Sequence, residues 1–197
     1  QANIDTMPLG GQSFYGQASG SNATASYYLE VLPGQTGDAT VGGKTYKLDH
    51  QDHAASGSTV TKEDRYAITG FTCNTSISTK DRQSYNGAKF YYDRNSYRLQ
   101  FISGGTVEKS ETVKYQAELS GYASYEPANP PAGMEGYVFG GWYDNELGEG
   151  TAYDFTGKTM PAQNITLYAK WQAPVIEATV YLTASADGAF ETIEIPY

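Results

Sequence analysis

The chain repeats itself. Tyr97-Arg98-Leu99-Gln100-Phe101, Ser103-Gly104-Gly105 and Glu111-Thr112-Val113-Lys114-Tyr115 are echoed by Val180-Tyr181-Leu182-Thr183, Asp187-Gly188 and Glu191-Thr192-Ile193-Glu194-Ile195-Pro196-Tyr197. Each copy alternates apolar and polar residues on both sides of a Gly-containing turn, the pattern of a hairpin with one buried face. A lone hairpin is marginal in water. A chain that reuses this plan is therefore expected to be a string of small units, each completed by further strands. The second copy covers only the opening hairpin of a unit, so residues 173–197 are read as the start of a further repeat.

A weaker echo extends the plan toward the N-terminus. Tyr28-Leu29-Glu30-Val31-Leu32 opens a strand, Ile68-Thr69-Gly70-Phe71-Thr72 sits mid-unit and Lys89-Phe90-Tyr91-Tyr92 closes it. The later unit opens at Tyr97, has Phe139-Gly140-Gly141-Trp142-Tyr143 in its middle and closes with Leu167-Tyr168-Ala169-Lys170-Trp171. Two units, 26–95 and 96–172, thus adjoin near Asp93-Arg94-Asn95. No Pro/Ser/Gly linker separates them, so they are expected to abut rather than swing. Residues 1–25, rich in Gly, Ser, Gln and Asn, read as a connection or the tail of a preceding unit.

Composition agrees with a β-rich chain. Tyr 18 against Phe 7 and Trp 2, with Gly 22 and Pro 8 among 197 residues, suits half-buried pleated surfaces joined by turns. One short helix is expected after Thr61, which can cap Lys62-Glu63-Asp64-Arg65 with two acids in the first turn. A second candidate follows Ser120 or lies at Pro131-Ala132-Gly133-Met134-Glu135, where prolines and glycines oppose it. The net charge of −9 argues against nucleic acid and anionic membranes, which need clustered Lys/Arg. No apolar run approaches a spanning length of about 18 residues. Gln1 is not a start methionine and no charged-then-apolar leader opens the chain, so it is expected to be a piece of something longer. The single cysteine, Cys73, excludes an intramolecular disulfide and any multi-cysteine metal site.

The residues then carry a resemblance. Gly136-Tyr137-Val138-Phe139-Gly140-Gly141-Trp142-Tyr143, an acidic Gly-rich turn, Tyr153-Asp154-Phe155, Met160-Pro161-Ala162 and Ile165-Thr166-Leu167-Tyr168-Ala169-Lys170-Trp171 resemble the Listeria–Bacteroides repeat, the internalin B-repeat family of bacterial surface proteins. The likeness covers 97–172, and Gly140 departs from it where other members often carry a larger polar residue. The stretch from Tyr28 through Gly70-Phe71-Thr72 to Tyr91-Tyr92-Asp93-Arg94-Asn95-Ser96-Tyr97 is similar, more loosely, to the mucin-binding-protein-like modules that precede such repeats in Gram-positive surface proteins. The resemblance implies a β-rich α+β fold of tandem small β-grasp (ubiquitin-like) modules on an extracellular, cell-wall-attached stalk. It implies no catalytic residues and no agreed ligand site. Under it, the Asn-x-Ser/Thr sequons at Asn22, Asn74 and Asn164 are chance matches.

Each candidate for chemistry also has a plainer account. His50 and His53 are spaced like two metal ligands, but their segment is polar and no third ligand is pinned, so a solvated turn is expected. Cys73, whose direction the alternation leaves open, is expected to be structural rather than half of a Cys-His dyad. The acidic turn Asp144-Asn145-Glu146-Leu147-Gly148-Glu149-Gly150 departs from calcium-loop spacing and is expected to be a hairpin tip. No Gly-x-Ser-x-Gly elbow occurs, and paired carboxylates carry no weight in a chain with 22 acids. Trp142, Tyr143 and Trp171, with Gly141 beside them and Phe139 and Phe71 in matching places, are expected in the cores, the aromatics through burial and Gly141 through close backbone approach or a bulge.

The resulting expectation is a non-enzymatic stalk or adhesion segment, without catalytic residues, cofactor or metal. Its partners would be neighbouring modules of the same chain and a host glycan or protein. The alternative is a carbohydrate- or mucin-binding module working through exposed tyrosines. A flat exposed cluster of three or more tyrosines would favour binding, and scattered single ones a spacer.

Overall fold

The computed structural model describes residues 22–174. The expectations for 1–21 and for the hairpin in 175–197 fall outside the described residues. Among the described residues nine strands form two sheets. The first holds β1 (Ala23–Glu30), β2 (Ala39–Val41), β3 (Lys44–Ala54), β4 (Phe71–Cys73) and β5 (Ala88–Arg94) in the order β2-β3-β1-β5-β4. The second holds β6 (Ser96–Ser103), β7 (Thr106–Lys114), β8 (Val138–Tyr143) and β9 (Ile165–Gln172) in the order β7-β6-β9-β8. β1 begins ahead of the boundary expected at 26.

The two sheets share one plan. In each, the opening strand pairs antiparallel with the returning strand of its hairpin (β1 with β3, β6 with β7) and parallel with the last strand (β1 with β5, β6 with β9). The strand before the last then adds antiparallel at the edge (β4 on β5, β8 on β9). A parallel neighbour requires a crossover, usually helical. Here the crossovers are irregular chain with single 3-10 turns at Lys62–Asp64 and Ser120–Tyr122. The first is capped as its sequence suggests, with Thr61 and Asp64 forming a capping box. Pro131–Glu135 forms turns instead of helix.

Glycine fixes the hairpins. Ser103 pairs with Thr106 across Gly104-Gly105, and Val41 with Lys44 across Gly42-Gly43. All four glycines have positive φ, as a two-residue turn matched to strand twist requires.

Each sheet has its own core. In the first, Ala23, Ala25 and Tyr27 of β1 meet Ala88, Phe90 and Tyr92 of β5 beneath Val60 and Tyr85. In the second, Leu99, Phe101 and Leu167 pack with Leu119, Trp142, Phe155 and Met160. The first sheet also buries part of its other face, where Tyr28 stacks on Tyr91 and Tyr46 meets Tyr91 edge-on. That second buried face ends in charged residues at the boundary between the sheets.

Candidate functional site at the joint between the sheets

Only Asn95 separates β5, ending at Arg94, from β6, starting at Ser96. Its backbone belongs to both sheets: the Asn95 N–H donates to Gly70 O at 2.9 Å and the Tyr115 N–H donates to Asn95 O at 2.8 Å. Thr72 Oγ1 donates to Asn95 Oδ1 at 2.7 Å. The chain thus passes between the sheets without slack.

A charged clasp surrounds this crossing. Glu30, at the end of β1, is 5% exposed, and burying an unpaired carboxylate there would be costly. Its Oε2 accepts the Arg94 N–H at 2.8 Å, and Lys114, at the end of β7, pairs with Oε1. Arg94 turns its side chain along the joint. Nε donates to Glu30 O at 3.0 Å, and Nη1 to Tyr115 O at 3.0 Å and Gln116 Oε1 at 2.7 Å. One guanidinium therefore ties β1 of the first sheet to the residues following β7 of the second. Burial pushes it below its ordinary pKa, with Glu30 pulling the other way.

Lys44 extends the clasp, 2.9 Å from Asp93 and 3.5 Å from Glu30. Asp93 also accepts Tyr46 Oη at 2.6 Å and Asn74 Nδ2 at 2.9 Å. Burial alone would raise the Asp93 carboxyl, but the hydrogen bonds from Tyr46 and Lys44 outweigh it and hold it below the usual carboxylate range. The hydrogen bond to Asp93 raises Lys44 above its ordinary value.

Apolar contacts close the joint. The Arg94 guanidinium lies 4.7 Å from the Phe71 ring centre, and Tyr115 meets Phe71 edge-on at 5.8 Å. Gly70 lies beneath Tyr115, where a Cβ would overlap the ring, and its φ of +78° also disfavours any side chain.

The structure spreads the other singled-out residues apart. His50 and His53 lie in β3 instead of the expected turn. Polar residues suit that strand because their neighbours on it are largely solvated. The two histidines pair with Tyr27 and Thr24, an odd number of places apart, and so face opposite sides of the sheet. His50 stacks flat on Tyr27 at 4.5 Å and bonds Asp49 and Tyr66. His53 Nδ1 is 3.1 Å from Thr24 Oγ1. Among the described residues no three His, Cys, Asp or Glu side chains gather as a metal set would. Burial raises the Cys73 thiol, which sits 3.7 Å from Ser78 Oγ.

The acidic segment 144–150 follows Tyr143 in the connection that closes the antiparallel β8–β9 pair, though that connection is long and not a tight turn. Asn145 braces the segment by accepting the Glu149 N–H at 3.0 Å and donating to Glu149 O at 2.9 Å.

Trp142 is 3% exposed, stacks on Tyr125 and donates Nε1 to Tyr125 O at 2.7 Å. The register shift between Phe139 and Trp142 takes in Gly140 and Gly141, the latter at φ +114°. Tyr143 is buried beneath Lys170, outside the Trp142 core cluster. Phe139 packs on that cluster and Phe71 on the first. Trp171 was expected on the second core but stands at its rim, half-buried, meeting Phe139 at 5.9 Å and donating Nε1 to Ser103 Oγ at 3.0 Å. The exposed tyrosines among the described residues are Tyr66 and Tyr137, one beside each sheet. The clasp is what the sequence analysis missed, and its signal was a lone Glu30 closing an aromatic strand together with Asp93-Arg94 at the unit boundary.

Comparison with known proteins gives a family match on the second sheet. Residues 97–170 match the family model described as the Listeria-Bacteroides repeat domain. Internalin H of Listeria monocytogenes is 43% identical over 77 residues, which is 39% of this chain and 12% of that protein. A putative membrane protein of Evansella cellulosilytica is 34% identical over 106 residues, 54% of this chain and 14% of that protein. A putative Gly-rich membrane protein of the same organism matches at 34% over 106 residues, covering 11% of its length. The chain thus spans a small fraction of these relatives. No helix among the described residues is long and apolar enough to cross a membrane.

Proposed function

We propose that this chain, which carries a Listeria-Bacteroides repeat domain at 97–170, is a non-enzymatic stalk segment of a bacterial surface protein, built to hold successive modules at a fixed angle. The observation that carries this reading is the joint, where a one-residue crossing is fastened by Glu30, Arg94 and Lys114. A binding module needs a presented surface, whereas a stalk needs stiffness between units, and the buried Glu30 with its partners serves stiffness. Under this reading, 26–95 and 96–172 are two β-grasp modules with irregular crossovers, the first mucin-binding-protein-like. The segment would be extracellular, which an internalin relative supports, and attached to the cell wall through the full-length protein.

The carbohydrate- or mucin-binding alternative needs a flat group of exposed tyrosines. Tyr66 and Tyr137 stand singly, which favours the spacer. The test pairs two measurements on the chain. Small-angle scattering is expected to fit one rigid arrangement of the two sheets, and glycan-array screening to give no binder. A flexible ensemble overturns the stalk, and a saturable glycan signal replaces it with the binding module.

A further inference from the structure

The shared plan of the two sheets assigns a counterpart to each residue of the joint. Tyr27 pairs with Phe90 as Phe101 pairs with Leu167, and Phe71 with Arg94 as Phe139 with Trp171. Continuing these registers, Asp93 corresponds to Lys170, Gly70 to Val138 and Glu30 to Gly104. The end of the second sheet is therefore the face that, on the first sheet, carries the next unit.

Its chemistry differs. Gly104 brings no side chain where Glu30 stands at the first joint, and a groove of about 400 Å³ opens beside it. Ile102, Pro131, Met134, Leu147 and Trp171 line it. Pro131 is seated directly on Gly104, where a Cβ would come within 2.6 Å of it. Leu147 is 79% exposed and the neighbouring Val138 52%, and Lys170 also borders the groove. A cluster of bare apolar side chains around a concave site is unusual unless something covers it.

The sequence supplies the occupant. In the first joint Lys114 and Tyr115, from Glu111-Thr112-Val113-Lys114-Tyr115, meet Glu30 and cover Gly70 and Phe71. The later copy reads Glu191-Thr192-Ile193-Glu194-Ile195. Where the face changes from acidic Glu30 and Asp93 to Gly104 and Lys170, the copy changes from Lys114 to Glu194. Where Tyr115 covers a glycine, Ile195 would meet Val138. The second exchange sets apolar against apolar; the first gives up the ion pair with Glu30 and places an acid near Lys170, which stands where Asp93 does at the first joint.

From this we infer that the groove at the end of the second sheet is a preformed seat for residues 175–197 of the same chain, making a second joint that is apolar where the first is ionic. The inference rests on the stalk reading. The described chain ends just past β9, beside Trp171, and the residues between Gln172 and Val180 can span roughly 25 Å when extended, enough to bring the later copy of the sequence onto the groove.

The experiment uses the full chain and two variants. Ile193→Asp/Ile195→Asp alters only the incoming segment, and Leu147→Asp alters a groove wall too exposed to unfold the module. Acrylamide quenching reports Trp171, since Trp142 is 3% exposed. It is expected to be weak in the parent chain and to rise in both variants. Cleavage by a Glu-specific protease at Glu177, Glu191 and Glu194, read by mass spectrometry, is expected to accelerate about tenfold or more in both, because it tracks the population of the open form. Quenching and cleavage that do not change in the variants overturn the seat. Protection that disappears on dilution, with a dimeric solution mass, also overturns it and assigns the groove to a second copy. A chain that stays rigid at the first joint while Trp171 is open loses the seat alone, whereas a flexible first joint removes the stalk reading beneath it.

Discussion

Arg94 grips Glu30 twice, its backbone N–H donating to Oε2 at 2.8 Å and its Nε to the main-chain carbonyl at 3.0 Å, while Nη1 reaches across to Tyr115 O at 3.0 Å. Backbone and side chain of one residue thus hold β1, β5 and the exit of β7 together. Motion of one sheet relative to the other must break charge-assisted hydrogen bonds around a carboxylate that water barely reaches.

Glu30→Ala is expected to destabilise the chain by about 3 kcal/mol. Removing one member of a buried ion pair strands its partners at a cost of about 3–5 kcal/mol, and the partial exposure of Lys44 and Lys114 places this case at the lower end. Urea unfolding checks it, and a loss no larger than that of an ordinary surface substitution would mean that the clasp is not stabilising.

Gly70→Ala is expected to open the joint. The added Cβ overlaps Tyr115 and the backbone is left-handed there, so a loss of about 1–3 kcal/mol should follow. Because the clash is with Tyr115, the effects of Gly70→Ala and Tyr115→Ala should combine less than additively in a double-mutant cycle. Strict additivity would separate the two residues energetically.

Trp142→Ala is expected to cost about 3–5 kcal/mol as a large-to-small core change. The indole contacts Phe101, Tyr125 and Phe139 and also supplies the Nε1 hydrogen bond. Calorimetry should show the second unit melting well below its parent temperature. An unmoved transition would place Trp142 outside the energetic core.

The pH dependence of the joint follows from two groups. Asp93 has a lowered folded pKa, so its contribution is present above the unfolded value of about 4 and is lost as pH falls through the folded value. Lys44 has a raised folded pKa, so its contribution is complete below about 10.4 and is lost as pH rises through the folded value. The stability difference between the parent and Asp93→Asn should thus be constant from about pH 5 to pH 9 and shrink on acidification. A difference that grows at low pH would reverse the assigned sign.

Much of this was readable in the chain before its structure. Alternation around Gly104-Gly105 specified the β6–β7 hairpin because each pairing is local and the turn needs two positive-φ residues. The absence of a linker at Asp93-Arg94-Asn95 pointed to abutting units. The strand identity of His50 and His53 was hidden because β3 is largely polar and His50 is half-covered by stacking on Tyr27, a contact that hydrophobic periodicity does not register. Trp171 was expected on the core because it ends an apolar strand, yet its place is set by the chain end of β9, where Ser103 takes its N–H. The clasp was hidden most deeply. Glu30, Lys44, Arg94 and Lys114 come together only through the parallel β1–β5 pairing and the crossing at Asn95, contacts without a sequence period.

The central claim is that the joint holds the two sheets as one body, and residual dipolar couplings of the weakly aligned chain test it most directly. Couplings from 23–94 and from 96–172, fitted separately, are expected to return one alignment tensor of the same magnitude and orientation, and Glu30→Ala should split it into two. Two different tensors in the parent chain would show that the sheets reorient independently and would contradict the account.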